Sequence, residues 1–187
     1  MVTWNTSVAP NEMGAQFTLP AIQMPDGYVM DSYKIADIIE ERHPEPSVPL
    51  STPVQLRFIE LMKGFMGALT PIYVPGVAQR LLGDESLDFF LASRQKDVGM
   101  SLADYGKQHS PGAFDRAEPF ARQITALLNE TSSSGPYFLG DKISYTDFIW
   151  AAILLFFKCL GEEDYYPEVL KRSGDAEAHT KFWDAVS

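Results

Sequence analysis

The sequence predicts an α+β protein that is mostly α-helical, with a short β-containing part followed by an all-helical remainder. Three observations support this fold class. A hairpin signal at residues 25–27 lies inside a run of strand-forming residues, 23–30. Four prolines between Pro44 and Pro53 indicate a linker. Beyond the linker, apolar residues recur at helical spacing almost to the C-terminus.

We divide the chain at this linker into residues 1–49 and residues 50–187. In the first part, the hairpin is followed by a predicted helix over 32–42 whose apolar residues share one face. Backbone N–H groups at the start of such a helix can bind a carboxylate, and Ser32 adds a hydroxyl there. Asp31 can meet a ligand's ammonium group, although a simple helix N-cap is the more common role for such a residue.

The second part is predicted to contain a series of amphipathic helices. Their ranges are 54–69, which Pro71 and Pro75 then break or bend, followed by 87–105, 116–128, 148–157, 164–172 and 175–186. Ser144 and Asp147 have the spacing of a capping box in front of the most apolar of these helices. That apolar run is about half as long as a membrane span requires.

Composition narrows the classes of function. The chain has 15 basic and 25 acidic residues, so a nucleic acid or an anionic membrane surface is not an expected partner. A single cysteine, Cys159, excludes an internal disulfide and fits a reducing cytosol. Cys159 lies in the apolar helix, and its side chain is predicted to be buried in the core. Of the three histidines, His43 ends a helix and the other two, His109 and His179, lie in polar surroundings. No spacing indicates a metal site.

Two motifs together resemble glutathione transferases. The order of Leu19-Pro20, a hairpin, Asp31-Ser32 and an amphipathic helix is similar to the end of the family's thioredoxin-like domain, where the proline is cis. The segment 137–141 with the box from Ser144 to Asp147 resembles the approach to the central helix of the family's C-terminal domain. The resemblance, which is strongest to fungal members, implies a truncated thioredoxin-like part followed by an all-helical glutathione-transferase C-terminal domain.

The resemblance also implies a glutathione site and a neighbouring substrate pocket. Leu19, before a cis Pro20, would pair with the cysteinyl unit of glutathione, while Asp31 and Ser32 would hold its γ-glutamyl end. Gln16 would contact the glycyl carboxylate. An apolar electrophile would occupy a pocket whose candidate lining residues are Met62, Phe65, Met66, Tyr73 and Tyr105. Ordinary helix packing is the alternative role for each of these five.

The function implied is that of a glutathione-dependent transferase or cis-trans olefin isomerase, with glutathione as cofactor and an apolar electrophilic small molecule as substrate. Fungal polyketide-type secondary metabolism is the expected setting. A non-catalytic binding or interaction module of the same fold is the alternative. The resemblance further implies a homodimer, and the composition leads us to expect a cytoplasmic protein that binds neither nucleic acid nor membrane.

We name no catalytic residue. In this family a Tyr, Ser or Cys at the start of the first helix activates the thiol, and this chain begins after the point where that helix would lie. Three explanations are open: a fragment or incomplete gene model, a degenerate binding protein, or an enzyme that needs little activation. The last is chemically reasonable because a free thiol with a pKa of about 8.5 is already a few per cent thiolate at neutral pH.

Overall fold

The computed structural model describes residues 20–25 and 27–187 and divides the chain into two units, Met1–Leu50 and Ser51–Ser187. In the first unit, strands β1 (Ala21–Met24) and β2 (Gly27–Met30) form an antiparallel hairpin. Ala21 pairs with Met30 and Met24 with Gly27, so the hairpin closes through the predicted turn. Helix α1 (Ser32–Arg42) follows, with the bounds that the sequence predicted.

The second unit consists of seven helices in the part of the chain that the structure describes. They are α2 (Pro53–Arg80), α3 (Asp84–Val98), α4 (Leu102–His109), α5 (Ala113–Asn129), α6 (Tyr145–Leu160), α7 (Tyr165–Ser173) and α8 (Ala176–Val186). None of the helices in these described residues is long and apolar enough to cross a bilayer.

Helix α2 continues through Pro71 and Pro75, so of the two predicted effects, a break or a bend, the break is wrong. Pro75 has no N–H, which leaves the carbonyl of Pro71 without its helical partner. The hydroxyl of Ser110 donates a hydrogen bond to that carbonyl at 2.9 Å. Gly106 lets α4 approach this part of α2, because a Cβ at that position would lie 3.2 Å from Cγ of Pro75. A neighbouring helix therefore compensates for the proline.

The predicted single helix over 87–105 is two helices. Gly99 adopts a left-handed conformation with φ 74° and ends α3, as glycine does at many helix C-termini. Ser101 then caps α4, because its hydroxyl accepts a hydrogen bond from the N–H of Asp104 at 3.1 Å. Both residues were visible in the sequence as a stop signal followed by a start signal.

The core of the helical unit is built from aromatic rings on α2 and α6. The ring of Phe65 makes edge-to-face contacts with those of Trp150 and Phe157, at centroid distances of 5.7 and 6.0 Å. Phe58 contacts Trp150 in the same way at 6.0 Å. These four side chains are at most 1% exposed. Such pairs contribute about 0.5–1.5 kcal/mol each beyond the area they bury. Because α6 carries two of these four buried rings, it lies in the core of the unit.

Candidate functional site

The start of α1 is the first candidate site. Oδ1 of Asp31 accepts a hydrogen bond from the N–H of Tyr33 at 2.9 Å, so the carboxylate caps the helix. Asp31 also has φ 81° and ψ 114°, a conformation that non-glycine residues rarely adopt. Backbone strain of this kind is concentrated at ligand sites, where the surrounding structure maintains it. Ser32, the first residue of α1, is partly exposed.

The hairpin register brings one more predicted residue to this place. Ala21 and Met30 are paired across the two strands, so Pro20 and Asp31, which flank them, lie at the same end of the hairpin. Pro20 is exposed. The other two residues predicted for glutathione binding, Gln16 and Leu19, lie outside the described residues. The structure thus places Pro20, Asp31 and Ser32 around one end of the hairpin.

A second candidate site is an apolar groove between α2 and α6, with a volume of about 440 Å³. We call it the α2–α6 groove. It contains two of the predicted substrate-pocket residues, Met62 and Met66. Phe65 does not line it: that ring is 1% exposed and enclosed by the core, which corrects the prediction for this residue. The full lining is Met62, Met66, Tyr145, Phe148, Ile149, Ala152, Ile153 and Phe156.

Tyr73 lines a further groove, of about 490 Å³, between α2 and α3. We call it the α2–α3 groove. Its lining is Thr70, Tyr73, Val74, Val77, Phe90, Arg94, Asp97, Val98 and Phe156. The rings of Tyr73 and Phe156 meet edge to face at 5.8 Å. Tyr105, also predicted for the substrate pocket, lines neither groove; it lies on α4 with its ring 5.0 Å from that of His109.

The residues of α6 in the groove were missed because the helix is apolar on every face, which is typical of a fully buried helix. Instead, Phe148 is 44% and Leu155 48% exposed, while Trp150 and Leu154 are buried. Cys159 is also exposed, so the prediction that it packs inside the helix bundle is wrong. Spacings of seven and four residues put Phe148, Leu155 and Cys159 on one face of the helix. The composition of the helix did not show that this face is accessible.

Residues 54–183, most of the helical unit, match the family model described as Glutathione S-transferase, C-terminal domain. The chain belongs to the glutathione S-transferase family. The glutathione S-transferase-like protein ustS of Aspergillus flavus is 26% identical over 166 residues, which are 79% of this chain and 60% of that protein. The chain therefore spans less than two thirds of the length of this relative.

Solved glutathione transferases share the fold. GSTFuA3 from Phanerochaete chrysosporium has a TM-score of 0.75 at 24% identity, covering 95% of this chain and 72% of that one. CsGST63524 of Ceriporiopsis subvermispora, whose crystal structure is in complex with glutathione, has a TM-score of 0.66 at 23% identity, covering 89% and 73%. These likenesses support the predicted fold class, an α+β protein that is mostly α-helical, with a thioredoxin-like part followed by a helical glutathione-transferase domain.

The capping box of this glutathione-transferase domain is present as predicted, and it extends beyond α6. The carboxylate of Asp147 accepts hydrogen bonds from the N–H of Ser144 at 2.8 Å, from its hydroxyl at 2.6 Å, and from the N–H of Phe138 at 2.9 Å. Burial raises the pKa of Asp147, and these hydrogen bonds act in the opposite direction. All three residues are fully buried, so the box has a structural role.

His179 is fully buried, which corrects the prediction that it lies in polar surroundings. Its Nδ1 accepts a hydrogen bond from Nε1 of Trp150 at 3.0 Å, and its Nε2 lies 2.8 Å from Oγ1 of Thr125. Burial lowers the pKa of His179 to about 4, opposed by the nearby charge of Asp175. The sequence contained a signal, since His179 is three residues before the buried Phe182 on the same helix face.

Among the residues that the structure describes, no group of three His, Cys, Asp or Glu side chains could hold a metal ion.

Proposed function

We propose that this chain binds glutathione at the start of α1 and uses it on an apolar electrophilic small molecule held against the helical unit. The observation that carries the proposal is the Asp31-Ser32 pair at a helix start, with Asp31 held at φ 81°. Membership of the glutathione S-transferase family supports the choice of ligand. The complex of CsGST63524 with glutathione is a further argument, because that protein shares the fold.

The chemistry of the pair suits one end of glutathione. The γ-glutamyl unit carries a carboxylate and an ammonium group on the same carbon. The N–H groups and positive dipole end of α1, with the hydroxyl of Ser32, would bind the carboxylate. The carboxylate of Asp31 would bind the ammonium group with one oxygen while the other caps the helix. Gln16 and Leu19 stay predicted contacts for the rest of the tripeptide.

Two reactions fit a thiolate held beside an electrophile. In conjugation, the thiolate sulfur forms a bond to one alkene carbon as the C=C π bond breaks, the resulting carbanion takes up a proton from solvent, and the adduct is released. In isomerisation, the sulfur adds to a conjugated alkene, the resulting single bond rotates, and elimination restores the alkene and glutathione. Positioning of the reactants supplies much of the acceleration in both cases. We place either reaction in fungal polyketide-type metabolism.

Substitutions in the pair should weaken glutathione binding. Ser32→Ala removes one hydrogen bond to a charged group, so we expect an increase in Kd of about tenfold in titration calorimetry. Asp31→Asn keeps a good helix cap but removes the negative charge, and we expect its Kd for glutathione to increase by at least a similar factor. Circular dichroism should show the same helix content in both variants and in the parent protein.

The matched controls are Ser101→Ala and Asp175→Asn, which make the same changes at the N-caps of α4 and α8. Both should bind glutathione with unchanged affinity. An unchanged Kd for Ser32→Ala and for Asp31→Asn would refute this location for the site.

Conjugation and isomerisation can be distinguished by the mass of their products. Incubation with glutathione and a conjugated polyene, followed by liquid chromatography and mass spectrometry, should give either an adduct heavier by one tripeptide or an isomer of unchanged mass and new retention time. Glutathione binding with neither product would favour the alternative, a non-catalytic module of the same fold. The cytoplasmic location stays a prediction from composition and family.

We also propose that the protein is a homodimer, as the family resemblance implies. The structure offers an accessible apolar residue on the first long helix, since Leu56 of α2 is 64% exposed beside a groove shared with α5. Sedimentation velocity at micromolar concentration should give twice the chain mass of 20.9 kDa. A monomer mass under those conditions would contradict the proposal.

A further inference from the structure

The two grooves on α2 adjoin each other along one stripe of the helix. Phe156 lines both of them. Five of the six α2 residues that line them follow each other three or four positions apart, the spacing of a single helix face. These five are Met62, Met66, Thr70, Tyr73 and Val77, and the sixth, Val74, lies next to Tyr73. At 1.5 Å per residue, the stripe is about 22 Å long. We call the combined feature the α2 furrow.

The two grooves of the furrow differ chemically. Around Met62 the lining is apolar or aromatic apart from the hydroxyl of Tyr145. In the α2–α3 groove, the hydroxyls of Thr70 and Tyr73 lie 3.4 Å apart, and α3 contributes Arg94 and Asp97. A ligand that fills the furrow therefore meets apolar side chains in the first groove and polar and charged groups in the second.

Arg94 can bind an oxygen acceptor in the α2–α3 groove. Its Nη1 donates a hydrogen bond to Oδ2 of Asp97 at 2.8 Å, and its guanidinium lies 5.6 Å from the centre of the Phe90 ring. A guanidinium has five N–H donors, so this bond leaves donors for a ligand. Asp97 offsets the charge of Arg94, which favours recognition by hydrogen bonds over recognition by net charge.

We propose that the α2 furrow binds one elongated apolar molecule lengthwise, with a carbonyl or carboxylate oxygen at Arg94 and its chain between Met62, Met66 and the aromatic rings of α6. Methionine side chains are flexible and polarisable, and they adapt well to a linear conjugated chain. The inference rests on the proposed function, and it restricts the substrate to long, linear molecules that carry an oxygen at one end. Compact electrophiles would fill only one of the two grooves.

Parinaric acid, a long linear conjugated tetraene acid whose fluorescence rises in an apolar site, is a suitable probe. Two variants change the two grooves separately. Ala152→Trp fills the α2–α6 groove from an exposed position, and Arg94→Gln removes the guanidinium donors of the α2–α3 groove. If one molecule spans the furrow, each variant should raise the Kd for parinaric acid about tenfold, since each removes a contact of about 1.4 kcal/mol.

Arg122→Gln is the matched control for Arg94→Gln. Arg122 is likewise an exposed arginine in an ion pair within its own helix, with Glu118 on α5, and it lies outside the furrow. This control should bind the probe as the parent protein does. Sorbic acid, a short conjugated acid, should displace the probe only weakly. Thermal melting establishes that each variant is folded.

A loss of affinity in only one of the two variants, Ala152→Trp or Arg94→Gln, would overturn the proposal, because it would show that the probe occupies one groove and does not span both. So would equal displacement by sorbic acid. The measurement is made without glutathione, so it is independent of the site on α1. Failure of probe binding with intact glutathione binding refutes the furrow alone, whereas the reverse result refutes the proposed function and leaves the furrow in place.

Discussion

Acidification from pH 7 to pH 5 is expected to reduce the free energy of unfolding by about 2 kcal/mol through His179 alone. Burial lowers the pKa of this imidazole from 6.5 to about 4 in the folded protein. Below pH 6.5 the unfolded chain therefore binds a proton that the folded protein does not accept. The stabilisation is fully present above pH 6.5, decreases as the pH falls towards 4, and changes no further below that.

The hydrogen bonds around His179 explain why its imidazole stays neutral in the folded protein. Nε1 of Trp150 can only donate, so Nδ1 of His179 must accept and the ring proton is on Nε2. That proton points to Oγ1 of Thr125, whose own hydrogen lies within reach of the carbonyl of Ser173 at 2.9 Å. Protonation of Nδ1 would set two N–H groups against each other and leave a charge in the core.

Urea denaturation at the two pH values tests this expectation in three proteins. In His179→Gln the titrating group is absent, so the variant should be less stable at pH 7 but lose about 2 kcal/mol less than the parent protein on acidification. His109→Gln is the control, because His109 is exposed at the end of α4. It should follow the parent protein at both pH values. An equal pH dependence in His179→Gln would contradict the role assigned to the buried histidine.

The features that were predictable from sequence are those decided within a few residues. The bounds of α1 follow from Asp31 at its start and His43 before a proline, and the capping box of α6 needs only Ser144 and Asp147. The Asp31-Ser32 pair was recognised as a helix start for the same reason. A helix start is a local structure, and its capability for binding an anion comes from the backbone itself.

The features that escaped prediction depend on distant partners. Helix α2 continues past Pro75, and Ser110, 39 residues after Pro71, bonds to the carbonyl of Pro71 that Pro75 leaves without a helical partner. Periodicity showed that Phe65 and Met66 lie on a helix, but their roles follow from which neighbour each one faces. Phe65 faces the core, and Met66 faces the groove. The burial of His179 also depends on how α8 packs against α5 and α6, although its spacing of three residues from Phe182 was a local sign of it.

Removal of the Asp147 carboxylate should have the largest effect on stability of any single substitution considered for this protein. Its two oxygens accept three hydrogen bonds, from two backbone N–H groups and one hydroxyl, and all of these groups are buried. Asp147→Ala leaves the three donors without a partner, and each unsatisfied buried donor costs about 1–3 kcal/mol. We expect Asp147→Ala to lower the free energy of unfolding by about 3–5 kcal/mol in urea denaturation.

Thr146→Val is a matched control from the same helical turn. Thr146 is as deeply buried as Asp147, but its hydroxyl has no hydrogen-bond partner within the described structure. Replacement of that hydroxyl by a methyl group of similar size should leave stability unchanged or raise it slightly, because a buried polar group without a partner is unfavourable. If Asp147→Ala costs only about 1 kcal/mol, as an exposed helix cap does, the carboxylate has no role beyond α6. A larger loss means that Asp147 also holds the loop at Phe138 against the central helix.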